Sequence, residues 1–313
     1  MRKILVTAIS GDIGNAILKI LKPEDNVLYG CDVNEIAVGM DLVEVFWQCG
    51  YAIAEGYIDE LLMKCIQYGI THLIPVNERE IEVVGNNREL FEKNNIKIVI
   101  QSQNILDICL DKYETAKFLA NNGFDVPESF TDIGQIYDTR RKYICKPRKS
   151  NGSKDIFTFC GKDLSDESIA GRVKNDCIVQ EYIESDEEYT VGVFRHWNTV
   201  NVIIFRRKLK NGYSSIVELT ENRTIHDMAV RAAELLELEG YINIQLRKKD
   251  DKYYIFEINP RISGTVRFRH MLEYTDVLWW LDLLDNKEIK PYIQSYKKAV
   301  GVRELNEKFL VME

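Results

Sequence analysis

The run Phe256-Glu257-Ile258-Asn259-Pro260-Arg261 holds the densest chemistry in the sequence. On an extended strand side chains alternate, so Glu257 and Asn259 share one face with Cα atoms about 6.5–7 Å apart, and Phe256 and Ile258 point to the other, toward a core. A carboxylate and an amide oxygen so spaced are hard donors of the kind Mg²⁺ takes. Pro260 cannot donate to a ladder and ends the strand; Arg261 then offers a planar cation. The alternating runs at 241–247 and 253–259, joined by the turn KKDD, form a hairpin that sets Gln245 opposite this pair. The plainer alternative is an amphipathic strand with a solvated polar face.

Further candidates lie upstream. Lys146 ends an apolar strand just ahead of the polar loop Ser150-Asn151-Gly152-Ser153-Lys154, whose backbone N–H groups suit phosphate oxygens. Val179-Gln180-Glu181-Tyr182-Ile183 is a strand breaking at the acidic stretch 184–188, able to present backbone donors and acceptors to an adenine edge or simply to end in a solvated turn. Arg206-Arg207-Lys208 follows the strand VNVIIF. Arg267 and Arg269 fall on one face if TVRFR is extended, and a carboxylate substrate needs such a guanidinium, although surface charge reads equally well. Ser10-Gly11-Asp12-Ile13-Gly14 is half a dinucleotide fingerprint, with Asp32 ending the second strand. Asn77, Glu78 and Glu80 are either acceptor-site groups or a helix N-cap with first-turn acids.

The elements that must position these groups follow from periodicity. Strands at 3–9, 26–32, 71–76 and 96–100 alternate with helices starting near residue 15 and at 57–68 and 79–93, the rhythm of a parallel sheet covered on both faces. A helix at 111–121 opens a second unit. From about Lys142 strands succeed one another without long helices, at 156–160, 177–183, 189–195 and 200–206, which predicts antiparallel pairing. Thr224 and Asp227 read as a capping box before a helix at 227–238, and another helix is expected at 270–285. Residues 291–313 read as a strand-like tail returning to the body.

The chain has 313 residues, enough for about two domains. Its net charge of −8 argues against nucleic-acid or anionic-membrane partners. Seven cysteines without a CxxC pair, and four scattered histidines, speak against zinc and for reduced thiols in a cytoplasmic setting. The opening MRKILVTAIS reads as a β-strand, and no apolar run is long enough to span a membrane.

Taken in order, Asp111-Lys112, Lys146, the Gly152 loop, the Gln180–Ile183 hinge, Glu188, Gln245 and Glu257-x-Asn259-Pro-Arg261 resemble the ATP-grasp superfamily. They are most similar to a single module of the carbamoyl-phosphate synthetase large subunit. The resemblance covers roughly residues 1–290. It implies an α/β chain, α+β in its second half. A Rossmann-like pre-ATP-grasp domain (1–106) precedes an ATP-grasp N-terminal lobe (107–183) with a small lid subdomain (about 141–183). A C-terminal lobe with the metal site (184–290) and the tail (291–313) follow.

The resemblance also implies roles. Lys112 and Lys146 contact ATP phosphates, and Gly152, Ser153 and Lys154 close over them. Gln180, Glu181, Tyr182 and Ile183 form the adenine hinge, and Glu188 takes the ribose. Gln245, Glu257 and Asn259 hold one or two Mg²⁺ ions, Mn²⁺ being the substitute. Arg261, with Arg267 on the substrate side, stabilises a phosphorylated intermediate. The glycine turn near Gly11 then serves the acceptor site instead of NAD. Two departures stand out: the lid KSNGSKD is poor in glycine, and Gln245 stands where many relatives have a carboxylate. The implied activity is ATP-dependent joining of a small carboxylate to an amine through an acyl phosphate. Phosphorylation of bicarbonate or carbamate, or non-catalytic ATP binding, are the alternatives; homodimers are the ordinary expectation. The cations are expected to make the site locally positive within an acidic protein.

Overall fold

The computed structural model describes residues 1–149, 155–165, 169, 171–173 and 176–304. The first unit is a parallel sheet of β1 (Arg2–Val6), β2 (Asn26–Asp32), β3 (Val45–Gln48), β4 (His72–Ile74) and β5 (Lys97–Ile98), ordered β3-β2-β1-β4-β5. Helices α1 (Asp12–Leu21), α2 (Tyr57–Tyr68), α3 (Glu78–Asn86), α4 (Arg88–Glu92) and α5 (Gln103–Cys109) accompany it. Both faces of β1 are buried: Ile4 and Val6 join one apolar cluster with α1, and Leu5 joins another with Leu61, Ile81 and Phe91. That is why the strand reads as a continuous apolar run. At Gly14 a Cβ would stand 2.5 Å from the Ala8 carbonyl oxygen, so α1 approaches the end of β1 only because this residue is glycine.

Helix α6 (Lys112–Asn121) leads to a small antiparallel sheet of β6 (Ser129–Phe130), β7 (Lys142–Pro147), β8 (Phe157–Cys160) and β9 (Cys177–Glu181), ordered β6-β9-β7-β8. The third sheet comprises β10 (Glu188–His196), β11 (Thr199–Lys210), β12 (Tyr213–Leu219), β13 (Gly240–Lys249), β14 (Lys252–Asn259) and β15 (Val300–Val302). Its order is β14-β13-β10-β11-β12-β15, antiparallel throughout. Helix α7 (Arg223–Leu235) covers one face; α8 (Val266–Met271) and α9 (Asp276–Leu284) cover the other. Ile17, Leu18 and Leu21 of α1 share a core with Phe205, Tyr241, Val266 and Trp280. The parallel sheet and the large antiparallel sheet are therefore cemented together.

Several local expectations change. Helix α7 starts at Arg223 and is capped by Asn222, whose side chain accepts the Ile225 N–H; Thr224 and Asp227 lie inside the helix. The helix expected at 270–285 is two helices, parted near Glu273 at φ 65°. Arg206-Arg207-Lys208 belongs to β11 instead of following it. TVRFR is helical, and Arg269 is fully buried against Asp276, with Nη2–Oδ2 at 2.6 Å, so it is not a substrate-side cation. The tail does return, as β15 beside β12.

Candidate functional site

A cleft of about 780 Å³ opens where the three sheets meet. Gly11, Asp12 and Glu78 line it from the parallel unit, Lys146 and the 180–183 segment from the small sheet, and β10, β11, β13 and β14 from the large one. Lys112, Lys146, Gln180, Glu181, Tyr182, Ile183, Glu188, Gln245, Glu257, Asn259 and Arg261 all reach this cleft. Arg267 does not: it is exposed on α8, because the helical turn there gives the buried position to Arg269. Gly152, Ser153 and Lys154 lie outside the described residues.

The floor is the β13–β14 hairpin. Its turn residues Asp250 and Asp251 both have positive φ, 49° and 61°, which a two-residue hairpin connection of this hand requires. From Lys249 opposite Lys252 the strands pair in step as far as Leu246 opposite Ile255, after which Gln245 faces Glu257 and Asn243 faces Asn259. Phe256 is thus an extra residue, a β-bulge. The bulge corrects the sequence reading: Phe256 turns to the cleft, and Ile255 and Ile258 are the core residues. Without it, a carboxylate two residues along from core-facing Ile255 would share that buried face.

Lys146 extends above this floor, its Nζ 3.5 Å from the Phe256 carbonyl oxygen and 5.6 Å from the Phe256 ring centroid. Burial pushes its ammonium down, Glu257 pulls it back, and Lys112 and Arg247 push it down again, to about 8. Lys112 opens α6. Asp111 caps that helix by accepting the Tyr113 and Glu114 N–H groups, and Arg148 clamps the Asp111 carboxylate at 2.8–3.1 Å. The Lys112 N–H also bonds the Arg148 carbonyl at 3.0 Å, tying α6 to the end of β7. Burial alone would raise the Asp111 carboxyl; Arg148 and the cap amides hold it below the usual range.

Glu188 is engaged differently from expectation. Its Oε1 accepts from Arg207 Nε and Nη2 at 2.9 and 2.7 Å, and its Oε2 from Arg247 Nε at 2.8 Å. Burial opposes the charged form, yet the two guanidiniums keep the carboxyl below its ordinary value. Arg247 also donates to the Ile183 carbonyl at 3.0 Å, and Arg207 Nη2 donates to Gln245 Oε1 at 2.6 Å. The amide oxygen expected to serve a metal is therefore bonded to an arginine. Lys112, Lys146, Arg207, Arg247 and Arg261 are matched in the lining by Asp12, Glu78, Glu181, Glu188 and Glu257. The described wall is balanced in charge instead of locally positive.

Among the described residues no group of three or more His, Cys, Asp or Glu side chains gathers to hold a metal. Glu257 and Asn259 still fit Mg²⁺, which takes one or two protein oxygens and fills the rest of its shell with water and phosphate. Among the described lining residues two buried polar atoms have no partner, Gln180 Oε1 and Asn243 Nδ2. Gln180 Nε2 is fixed by Ser129 at 2.8 Å, which leaves Oε1 as an acceptor for an incoming N–H.

At the other end Arg261 donates through Nε and Nη2 to Glu78 Oε1 at 3.0 and 2.7 Å, bridging the two large sheets. Asn77 and Glu80 form a capping box for α3, and Glu80 is buried on Thr7 and Tyr57, away from the cleft; Asn77 and Glu78 line it, Asn77 with its side-chain oxygen engaged as the helix cap. Asp32 spends its carboxylate on the Ser10 N–H at 2.7 Å and on Asn34, and it is not a lining residue, which removes the dinucleotide reading's acidic partner. Sequence reasoning missed Arg247, Thr190, Asn243 and Phe256. Arg247 was visible in principle, two residues beyond Gln245 on the same alternating face; Phe256 was hidden by the bulge.

A family model described as ATP-grasp in the biosynthetic pathway with Ter operon matches residues 174–308. An uncharacterised protein of Methanocaldococcus jannaschii is 28% identical over 200 residues, 62% of this chain and 51% of that protein. The carbamoyl phosphate synthase large chain of Pseudothermotoga lettingae is 27% identical over 199 residues, 56% of this chain and 18% of that one. The matched stretches span about half the length, or less, of these curated relatives. Among solved structures, N5-carboxyaminoimidazole synthetase from Staphylococcus aureus complexed with ADP superimposes with a TM-score of 0.77 at 15% identity, covering 97% of this chain and 82% of that one. The L-amino acid ligase from Bacillus licheniformis gives 0.72 at 13% identity, covering 91% and 74%. The segment similar to this ATP-grasp family model contains the whole β13–β14 floor of the cleft, and the chain shares its overall fold with these solved synthetase and ligase structures.

Proposed function

We propose that the chain is an ATP-dependent ligase joining a small carboxylate to an amine. A carboxylate oxygen of the acid attacks the γ-phosphorus of ATP, the bond to the β,γ-bridging oxygen breaks, and ADP leaves. The amine nitrogen then attacks the acyl carbon, a C–N bond forms, phosphate departs, and the nitrogen loses a proton. The observation that carries this reading is the approach of Lys112 and Lys146 from one side of the cleft to Glu257 and Asn259 on the other. Phosphoryl transfer needs positioning and charge neutralisation more than covalent help, which this set supplies.

In this reading the buried Gln180 oxygen and the hinge backbone receive the adenine, and the two lysines hold the phosphates. Glu257 and Asn259 would hold Mg²⁺, which when bound neutralises charge on the phosphate oxygens. Arg261, set by Glu78, faces the acyl phosphate. The role over the phosphates that the resemblance implies for Gly152, Ser153 and Lys154 falls on residues outside those described. Glu188 organises the ribose end through its two arginines. Partners are a small acid and amine, and two copies of the chain are the ordinary assembly.

The test is a panel of acids and amines read by phosphate release, with mass spectrometry of the product. Glu257→Ala should abolish acid-dependent ADP formation while circular dichroism stays unchanged; full activity in that variant would remove Glu257 from the site. The likeness to the carbamoyl phosphate synthase large chain favours a second reading, phosphorylation of bicarbonate or carbamate. ADP release that needs bicarbonate and no organic acid would select it. Tight ATP binding without turnover on any acid would favour a binding module.

A further inference from the structure

We infer that Arg207 occupies the role of a second metal ion in this cleft, so that the site takes one Mg²⁺, on Glu257 and Asn259; the inference rests on the ATP-dependent reading above. Gln245 lies directly across the ladder from Glu257, where a second ion would need an oxygen from each. That oxygen is already bonded: Arg207 Nη2 donates to Gln245 Oε1 at 2.6 Å and to Glu188 Oε1 at 2.7 Å. The Arg207 side chain is only 10% exposed, and it is tethered through Nε as well, so the charge is fixed in place. A divalent ion sharing the Gln245 oxygen would stand beside a fixed guanidinium, and like charges so close repel strongly away from bulk water. Among the described residues no group of three or more His, Cys, Asp or Glu side chains forms around Glu257 to offset that repulsion.

The charge balance points the same way. Glu188 is the single carboxylate shared by Arg207 and Arg247, so this trio carries one positive charge beyond neutrality, facing the cleft. A planar guanidinium matches phosphate oxygens and never loses its proton in the physiological range. A glutamine in place of a carboxylate at 245 is then no weakened metal ligand. It is the neutral acceptor that lets an arginine stand there.

The experiment counts metal. Mn²⁺ is titrated into the full chain with the β,γ-imido analogue of ATP, and free ion is read by electron paramagnetic resonance. One nucleotide-dependent Mn²⁺ per chain is expected. Two in the unaltered protein overturn the inference while leaving the ligase reading standing; none removes both. Arg207→Gln should keep one ion and weaken the analogue about tenfold to a hundredfold, the loss of one charged contact. The pair Arg207→Gln with Gln245→Glu should bind two. Arg207→Lys, which keeps the charge, serves as the folding-safe variant and should keep both the count of one and most of the affinity. Unchanged affinity in Arg207→Gln would reduce Arg207 to a clamp on Glu188 and overturn the inference.

Discussion

Replacing Lys146 with methionine and measuring proton uptake on nucleotide binding tests the electrostatics of the cleft directly. Burial first, then Lys112 and Arg247, against the pull of Glu257, bring the Lys146 ammonium to about 8. A triphosphate set against it returns it toward the ordinary lysine value of about 10.4. At about pH 9 the free protein then holds roughly a tenth of this proton and the complex nearly all of it, so binding takes up about 0.9 proton; at about pH 7 the uptake falls to about 0.1. The sign is fixed: the charged lysine binds phosphate, its charge is lost in the free protein as pH rises through about 8, and affinity weakens above that point. The dissociation constant should rise roughly tenfold between about pH 7 and about pH 9. The terminal phosphate, with a pKa of about 6, is fully ionised at about pH 9 and adds nothing at that pH. Calorimetry with the imido analogue and Mg²⁺, in two buffers of different protonation enthalpy, reads the uptake. Lys146→Met should show none and a flat affinity profile. Uptake below about 0.2 proton in the unaltered chain at about pH 9, or uptake persisting in the variant, would refute the reasoning.

Two stability predictions follow from buried features. Asp276→Ala strands the Arg269 guanidinium in the core, which costs about 3–5 kcal/mol, or about 10 °C in Tm by calorimetry. The double change Arg269→Met with Asp276→Leu should recover most of it, and an unchanged melting point in the single variant would contradict the pairing. Gly240→Ala places a Cβ 2.7 Å from Trp280 Cε2 at a residue with φ 95°, so urea unfolding should show a loss of about 2–4 kcal/mol; a loss below about 0.5 kcal/mol would mean that Trp280 yields freely.

What the sequence disclosed and what it hid divide along contact range. Period-two alternation in 241–247 and 253–259, and the turn between them, gave the hairpin and brought Gln245 near Glu257, although in-step pairing would set Gln245 against Phe256 and only the bulge sets it against Glu257. Alternating strands and helices gave the parallel sheet in the same way, although the short β3 escaped notice. The bulge at Phe256 left no mark, because one extra residue alters the face without altering composition. Arg261 with Glu78 and Arg207 with Gln245 join residues 183 and 38 positions apart, pairings that no local pattern encodes. Arg267 and Arg269 were misread together: the extended reading gave both to one face, whereas the helix buries one and exposes the other.

The extra residue at Phe256 makes the hairpin a counting device. Strand exchange between relatives, loop grafting or trimming of the turn tolerates changes of residue type at Asp250 and Asp251 that still accept positive φ. It does not tolerate a change in the number of residues between Gln245 and Glu257, since a slip of one swaps the faces of everything beyond it. Residues 245–259 are therefore a cassette that can be moved only whole, with the carboxylate's address written in its length.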